Sequence, residues 1–142
     1  MRGYQFIEHT ADVIVEAWGP TIEESFEEAA KGMYEVMTDT SLVSKSEKLC
    51  LDVDGIDLEN LLYRWLEGLL IATDSKNLVF SDFKIQAIEK DKNTYRLRGC
   101  AYGEKFDRNK HRSKTSVKAV TYHQMRICEE GGEWKLRYTL DI

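Results

Sequence analysis

The 142-residue chain contains only one proline and nine glycines, so its composition matches neither a collagen-like chain nor a Pro/Gly-rich disordered one. No window approaches the run of about 20 apolar residues that a membrane span requires, and the N-terminus lacks the apolar core of a signal peptide. Basic residues are not in excess, because 20 Lys and Arg against 25 Asp and Glu leave a net charge of −5. This balance argues against non-specific nucleic-acid binding, which needs a basic surface.

Cysteine is also scarce. Cys50, Cys100 and Cys128 are an odd number, lie far apart and form neither a CxxC pair nor a zinc-ligand spacing. Cys50 and Cys128 fall within alternating strand patterns, so we expect them to be reduced, half-buried and unreactive. Because reduced cysteines are typical of cytosolic proteins, the expected location is cytoplasmic.

Motifs of a self-sufficient enzyme are absent from the sequence. There is no GxSxG elbow, Walker loop, HExxH helix or GxGxxG turn. The serines and cysteines have no evident histidine partner along the sequence. No motif therefore predicts an independent enzyme.

Apolar periodicity predicts two helices and about seven strands. The helices are expected over 21–37, with Thr21 as N-cap, and over 58–72, capped by Asp57. Two strands are expected within 4–18 around a polar turn at 8–12, and the others over 47–54, 78–89, 94–103, 117–129 and 133–140. The prediction is a single α+β domain over 1–142, in two layers, with both helices on one face of a mainly antiparallel sheet.

A polar segment over 104–116 is rich in lysine and arginine. Together with Lys118 it sets six basic residues against Glu104 and Asp107, namely Lys105, Arg108, Lys110, Arg112, Lys114 and Lys118. We expect a solvated loop, in which His111 is also solvated. The alternative is a positive surface that meets phosphate or an acidic partner.

The chain end carries a clearer chemical signal. Its strand pattern runs almost to the last residue, so the C-terminus is expected to be pinned in the sheet, with the Asp141 carboxylate beside the α-carboxylate of Ile142. Two carboxylates repel by about 1–4 kcal/mol at about 4 Å, and a hard cation relieves that repulsion. Asp12, beside the polar turn, is a candidate third ligand. Oxygen ligands suit Ca²⁺, Mg²⁺ or Mn²⁺ rather than zinc. The alternative is a solvated Asp141 and a turn or capping role for Asp12.

Two further histidines, His9 and His123, are proton carriers at neutral pH in principle. Taken alone, each is expected to be a hydrogen-bonded structural histidine. Neither has a nucleophile or metal-ligand partner at a recognisable spacing.

A set of motifs in fixed order makes nearly the whole chain resemble the archease family. They are His9-Thr10-Ala11-Asp12-Val13, Thr21-Ile22-Glu23-Glu24-Ser25-Phe26, Leu61-Leu62-Tyr63-Arg64-Trp65-Leu66, Gly103-Glu104, Val117-Lys118-Ala119-Val120-Thr121-Tyr122-His123 and the closing Leu140-Asp141-Ile142. Each fragment alone is a weak signal, but the combination is specific. One departure is Gly68, where the family usually has Glu.

The resemblance implies an accessory protein of tRNA splicing that is not itself an enzyme. Archeases activate the RtcB-type GTP-dependent RNA ligase by promoting its guanylylation and multiple turnover. The family's metal ligands fall on Asp12, Asp141 and the C-terminal carboxylate of Ile142, with Ca²⁺ expected in crystals and Mg²⁺ or Mn²⁺ as alternatives. His9, Lys118 and His123 are candidates for the same functional surface. RNA contact is expected to be made mainly by the ligase.

Two other functions remain compatible with the residues. The same carboxylates would suit a metal-dependent phosphohydrolase or nuclease, which would turn over without a partner. The apolar helix stripe or the basic loop would suit a chaperone-like adaptor in which a metal has no role.

Overall fold

The computed structural model describes all 142 residues and contains two helices, a short 3-10 turn and seven strands. In chain order these are β1 (Gly3–Glu8), β2 (Asp12–Gly19), α1 (Ile22–Met37), the 3-10 turn (Thr40–Leu42), β3 (Glu47–Gly55), α2 (Leu58–Lys76), β4 (Leu78–Asp91), β5 (Thr94–Lys105), β6 (Ala119–Glu130) and β7 (Glu133–Asp141). This confirms the predicted α+β class and its element types.

The strands form two antiparallel sheets, with orders β1-β2-β7-β6 and β3-β5-β4. The long connection after β5 carries the chain from the second sheet to the first, a division that strand patterns alone do not reveal. Both helices bridge the sheets, since α1 packs against β2 and β4, and α2 against β3 and β6. The apolar faces of helices and sheets therefore share one core.

Large aromatic side chains fill that core, and hydrogen bonds satisfy their polar atoms. Trp65, Tyr34 and Tyr138 are fully buried. Tyr138 Oη donates to the Ala29 carbonyl at 2.6 Å, and Trp65 Nε1 donates to the Phe26 carbonyl at 3.2 Å. These bonds join α1 to β7 and to α2, because a buried hydroxyl or indole N–H needs a partner.

The predicted caps start both helices, but the second helix is longer than predicted. Thr21 Oγ1 accepts from Glu24 N, and Asp57 caps α2 by accepting from Asn60 N. The helix α2 continues to Lys76 and ends where Asn77 adopts the left-handed conformation with φ of 56°. Asparagine tolerates this conformation, which terminates helices, and no comparable signal exists at residue 72.

Two expectations about the cysteines are wrong: a disulfide does form, and Cys50 is neither reduced nor half-buried, since it is disulfide-bonded and exposed. Cys50 and Cys100 form a disulfide that links β3 to β5. The two residues are direct register partners in these strands, although they lie far apart in sequence. Sequence spacing therefore gave no indication of the pair. Cys128 is free and half-buried, as predicted.

The connection between β5 and β6 is anchored to the end of α1. The backbone N–H groups of Lys114 and Thr115 donate to the carbonyls of Met37 and Val36. The Lys114 ammonium also forms a salt bridge with Glu35. These contacts satisfy carbonyls at the C-terminus of α1 that have no partner within the helix. The basic segment is thus partly a helix cap rather than a freely solvated loop.

The prediction that His111 is solvated is wrong, because its side chain is fully buried within this connection. Asp107 N donates to His111 Nδ1 at 2.9 Å, so the ring proton of the neutral imidazole lies on Nε2. Nε2 in turn donates to Glu104 Oε2 at 2.8 Å. A polar segment folded back on itself buries this ring, which a composition-based prediction cannot anticipate.

In the Glu104→Gln variant, the free energy of unfolding is expected to change less with pH in the acidic range than in the wild-type protein. The hydrogen bond from Lys110, followed by those from Ser44 N–H and His111, lowers the pKa of Glu104 from its usual 4.5 to about 2. Since the folded-state pKa is the lower one, the ionised carboxylate stabilises the fold fully above pH 4.5, and this contribution is lost as pH falls towards 2.

Urea unfolding across that pH interval measures the effect. The wild-type protein should lose stability more steeply than the glutamine variant. Glu130→Gln, an exposed position in the β6–β7 hairpin, is the matched control and should retain the wild-type slope. Equal slopes for wild type and Glu104→Gln would contradict the prediction.

No helix of the protein combines the length and the apolar character that crossing a membrane requires.

Candidate functional site

Asp12 and Asp141 are brought together by the pairing of β2 with β7. Asp12 is the first residue of β2 and Asp141 the last of β7, and the two are direct register partners. Side chains of directly opposed residues have Cβ atoms about 4.5–5.5 Å apart. Two carboxylates expected from the sequence to converge are therefore neighbours at one corner of the four-stranded sheet.

The last residues of the chain are hydrogen-bonded on both sides of this corner. Ile142 N donates to the Ala11 carbonyl at 3.3 Å, and Lys118 N donates to the Asp141 carbonyl at 2.8 Å. The expectation of a pinned C-terminus is confirmed. The turn before β2 and the residue before β6 together fix the backbone of Asp141 and Ile142.

One carboxylate oxygen of this corner lacks a partner. Asp12 Oδ1 is buried and accepts no hydrogen bond, the only buried side-chain polar atom of the chain in this state. A carboxylate oxygen can only accept, so burial without a donor is costly. A cation beside this oxygen removes that cost.

The donor set fits a hard cation with oxygen ligands. Nowhere in the chain do three or more His, Cys, Asp or Glu side chains converge on one point. This corner instead offers two side-chain carboxylates, from Asp12 and Asp141, with the main-chain carboxylate at Ile142 as a third group. Such a set suits Ca²⁺, Mg²⁺ or Mn²⁺ and lacks the nitrogen and sulfur ligands typical of zinc.

A depression of about 940 Å³ opens beside Asp12. Its walls come from the turn between β1 and β2 and from β6, and its lining residues are Glu8, His9, Thr10, Ala11, Asp12, Ile14, His123 and Gln124. Both His9 and His123 are exposed here, and His123 Nε2 is hydrogen-bonded to the neighbouring Gln124 side chain. The depression thus joins two of the candidate surface residues to one of the candidate ligands.

Lys118 lies at the same corner through its backbone. Its N–H is bonded to the Asp141 carbonyl, and its side chain is exposed and forms no salt bridge. The backbone that carries this ammonium is therefore hydrogen-bonded directly to Asp141, one of the two opposed carboxylate residues. This placement agrees with its expected membership of the functional surface.

The irregular course of β6 beside the depression was not predicted from the sequence. The register with β7 jumps between Thr121 and Arg126, and Gln124 has a φ of 55°. Alternation predicted an uninterrupted strand from 117 onwards. The polar run Thr121-Tyr122-His123-Gln124 was the only local signal, and it does not specify a bulge.

The chain matches the family model described as Archease protein family (MTH1598/TM1083) over residues 4–142. The protein archease of Aeropyrum pernix is 48% identical over 140 residues, covering 99% of this chain and 97% of the relative. The protein archease of Pyrococcus furiosus is 44% identical, with both chains covered completely.

Two solved structures of similar proteins have the same fold as this chain. The solution structure of Methanobacterium thermoautotrophicum protein 1598 has a TM-score of 0.84 and 39% identity, and 99% of each chain is covered. The crystal structure described as an archease, possible chaperone, from Thermotoga maritima has a TM-score of 0.61 at 22% identity, covering 96% of this chain and 94% of the other, which shows a shared fold. The match over nearly the full length, at these identities, establishes that the chain belongs to the archease family.

Proposed function

We propose that this chain is an accessory protein of RNA ligation in tRNA splicing, which activates an RtcB-type GTP-dependent ligase by promoting its guanylylation and multiple turnover. Membership of the archease family supports this proposal. The Thermotoga maritima protein is described as a possible chaperone, which also favours action on a protein partner. The proposed location is cytoplasmic, with the ligase.

The observation that carries the proposal is the carboxylate corner with its orphaned oxygen. Asp12 and Asp141 face each other in register, and Asp12 Oδ1 has no donor. We propose that these side chains and the main-chain carboxylate of Ile142 hold one divalent cation, Ca²⁺, Mg²⁺ or Mn²⁺. When bound, the ion supplies positive charge and Lewis acidity at an exposed tip of the protein.

The residues around the corner give this tip its rigidity. Hydrogen bonds from Ile142 N to Ala11 and from Lys118 N to Asp141 hold the ligand backbone at both strand ends. A rigid, charged tip can organise the nucleotide site of a partner without reorganising itself, which is how preorganised electrostatics lower a barrier. Lys118 adds a cation that remains free to meet negative charge on the ligase or its nucleotide.

The test measures guanylylation of the purified RtcB-type ligase with GTP and Mn²⁺, with and without this protein. We expect faster guanylylation and repeated rounds of RNA joining when the protein is present at less than one equivalent. Calorimetry with Ca²⁺ and with Mn²⁺ on the isolated chain should find one site. Absence of stimulation in a ligase preparation that is otherwise active would refute the proposal.

Two rival functions give different results in the same preparation. A metal-dependent phosphohydrolase or nuclease would degrade RNA in Mn²⁺ without the ligase. A metal-independent adaptor would bind the ligase equally well in excess chelator. We expect neither result, because the carboxylate corner offers ligands for a cation that an adaptor would not need, and because the similar proteins are named archease rather than as enzymes.

A further inference from the structure

The irregular part of β6 is a large bulge. Between two paired positions the chain advances from Thr121 to Arg126 on β6, but only from Thr139 to Arg137 on β7. The usual bulge adds a single residue to one strand. Here the extra residues leave the ladder and project the segment Tyr122–Met125 from the sheet.

A closed ring of hydrogen bonds clamps the base of this bulge. Thr139 Oγ1 donates to the His123 carbonyl at 2.7 Å, and Thr121 Oγ1 donates to the Thr139 carbonyl at 3.0 Å. His123 N donates back to Thr121 Oγ1 at 3.3 Å. Thr139 is only 1% exposed, so its hydroxyl is a buried polar group, and the bulge supplies the acceptor for its hydrogen bond.

The other side of the bulge is held by α2. The Tyr122 ring stacks on Tyr63 with ring centroids 4.5 Å apart and planes 15° apart. Tyr122 Oη accepts from Asn60 Nδ2 at 2.9 Å. The segment is therefore fixed both from the sheet below it and from the helix beside it.

The clamped segment points its next two side chains into the depression. His123 and Gln124 line it together with Glu8, His9 and Asp12. Gln124 Nε2 donates to His123 Nε2 at 3.3 Å, which couples the two groups. Gln124 has a φ of 55°, in the left-handed region that residues other than glycine rarely adopt.

A purely structural role does not account for this arrangement. A regular strand would keep the ladder bonds that the bulge gives up and would avoid the left-handed Gln124. Locally strained segments that are over-determined by their surroundings occur at recognition sites, where they aim side chains. The feature gained here is the position of His123 and Gln124 beside Asp12.

We infer that the bulge is a preorganised second arm of the proposed site, in which Thr139 is a positioning residue and His123 and Gln124 contact the partner ligase. This inference rests on the proposed function. The first arm of the site is the turn between β1 and β2, which is acidic because it carries Glu8 and Asp12. The second arm, the bulge, offers an imidazole and a carboxamide. Those groups can donate hydrogen bonds to oxygen acceptors of the ligase. The acidic arm and the net charge of −5 disfavour free RNA as the occupant.

Thr139→Val tests the positioning role because it replaces the hydroxyl by a methyl group of similar size. Loss of that donor should speed amide exchange in residues 121–126 by about tenfold, the effect of one buried hydrogen bond. Stimulation of ligase guanylylation should fall by about tenfold or more, as misplaced groups at a site typically cause. Ca²⁺ affinity of the isolated chain should stay at the wild-type value, and Thr139→Ser should restore both exchange and stimulation.

Thr94→Val is the matched control, since Thr94 is exposed and its hydroxyl bonds only within the β4–β5 turn. It should leave exchange in 121–126 and stimulation unchanged. His123→Ala keeps the backbone clamp and should also lower stimulation about tenfold at unchanged Ca²⁺ affinity. If Thr139→Val fails to fold, His123→Ala still tests whether the bulge contributes to stimulation of the ligase.

Three results would overturn the inference. Full stimulation by His123→Ala excludes the contact role, and full stimulation by Thr139→Val despite faster exchange excludes the positioning role. Binding of RNA alone to the wild-type chain that His123→Ala abolishes would identify a different occupant. Absence of stimulation by the wild-type chain would instead reject the proposed function, so the two failures are distinguishable.

Discussion

Asp12→Asn is expected to abolish divalent-cation binding and stimulation of the ligase while the protein remains folded. The substitution preserves the shape of the side chain and removes the charge from the buried oxygen that lacks a donor. Loss of second-shell support alone lowers metal affinity by about 10–100-fold, so loss of a ligand charge should lower it at least as much. Stimulation should fall in parallel, because the proposed tip then lacks its positive ion.

The same substitution is expected to stabilise the metal-free protein slightly. Asp12 and Asp141 are register partners, and the repulsion between their carboxylates disappears when one becomes neutral. Between the dielectric of bulk water and that near a protein surface, the repulsion at about 4 Å is worth about 1–4 kcal/mol. Stability and stimulation of the ligase therefore change in opposite directions. If the variant lost activity because it unfolded, both would decrease.

Calorimetry with Ca²⁺ and thermal unfolding in chelator measure the two effects. Asp74→Asn is the matched control, because Asp74 is exposed on α2 and forms no salt bridge. It should bind the ion and stimulate the ligase normally. Wild-type ion affinity in Asp12→Asn would disprove the assignment of this ligand.

Gly103→Ala is expected to cause the largest loss of stability of any Gly→Ala substitution in the chain. A Cβ atom at Gly103 would lie 1.8 Å from the Val79 carbonyl oxygen and 2.7 Å from Phe80 Cα. Both atoms belong to the backbone of β4 at a register irregularity between Phe80 and Asp82, so no side-chain rotation can make room. Overpacking that shifts the backbone costs about 1–3 kcal/mol and occasionally more.

Gly68→Ala provides the comparison. Its added Cβ would lie 2.9 Å from Leu51 Cδ1, the end of a flexible side chain. Alanine also gains about 1 kcal/mol over glycine inside a helix. Chemical denaturation should therefore find Gly68→Ala at or above wild-type stability, and Gly103→Ala clearly below it. Similar stabilities for the two variants would show that β4 adapts at Gly103.

Local sequence patterns were sufficient for the elements but not for their assembly. Thr21 and Asp57 identified both helix starts, because capping involves residues within one turn. The end of α2 was placed too early, since its terminator, Asn77, acts through a backbone conformation that sequence periodicity does not report. The division into two sheets depends on which strands pair, and pairing is a property of the whole chain.

The proposed site illustrates the same limit. Asp141 and Ile142 are adjacent in sequence, so their carboxylates suggested a cation site before any fold was known. The bulge of β6 and its contact with Thr139 were invisible, because a ring of bonds between two strands leaves no local signature. The buried His111 and the Cys50–Cys100 disulfide were predicted wrongly for the same reason.

The sequence by itself determined the α+β class, both helix starts, an acidic chain end and the family resemblance, because these depend on residue types and on spacings within a single element. Only the tertiary structure decided that Asp12 faces Asp141, that Cys50 meets Cys100 and that His123 is held beside the carboxylates. Those relations depend on strand register across the sheets, where hydrogen bonds and side-chain packing join residues from distant parts of the chain.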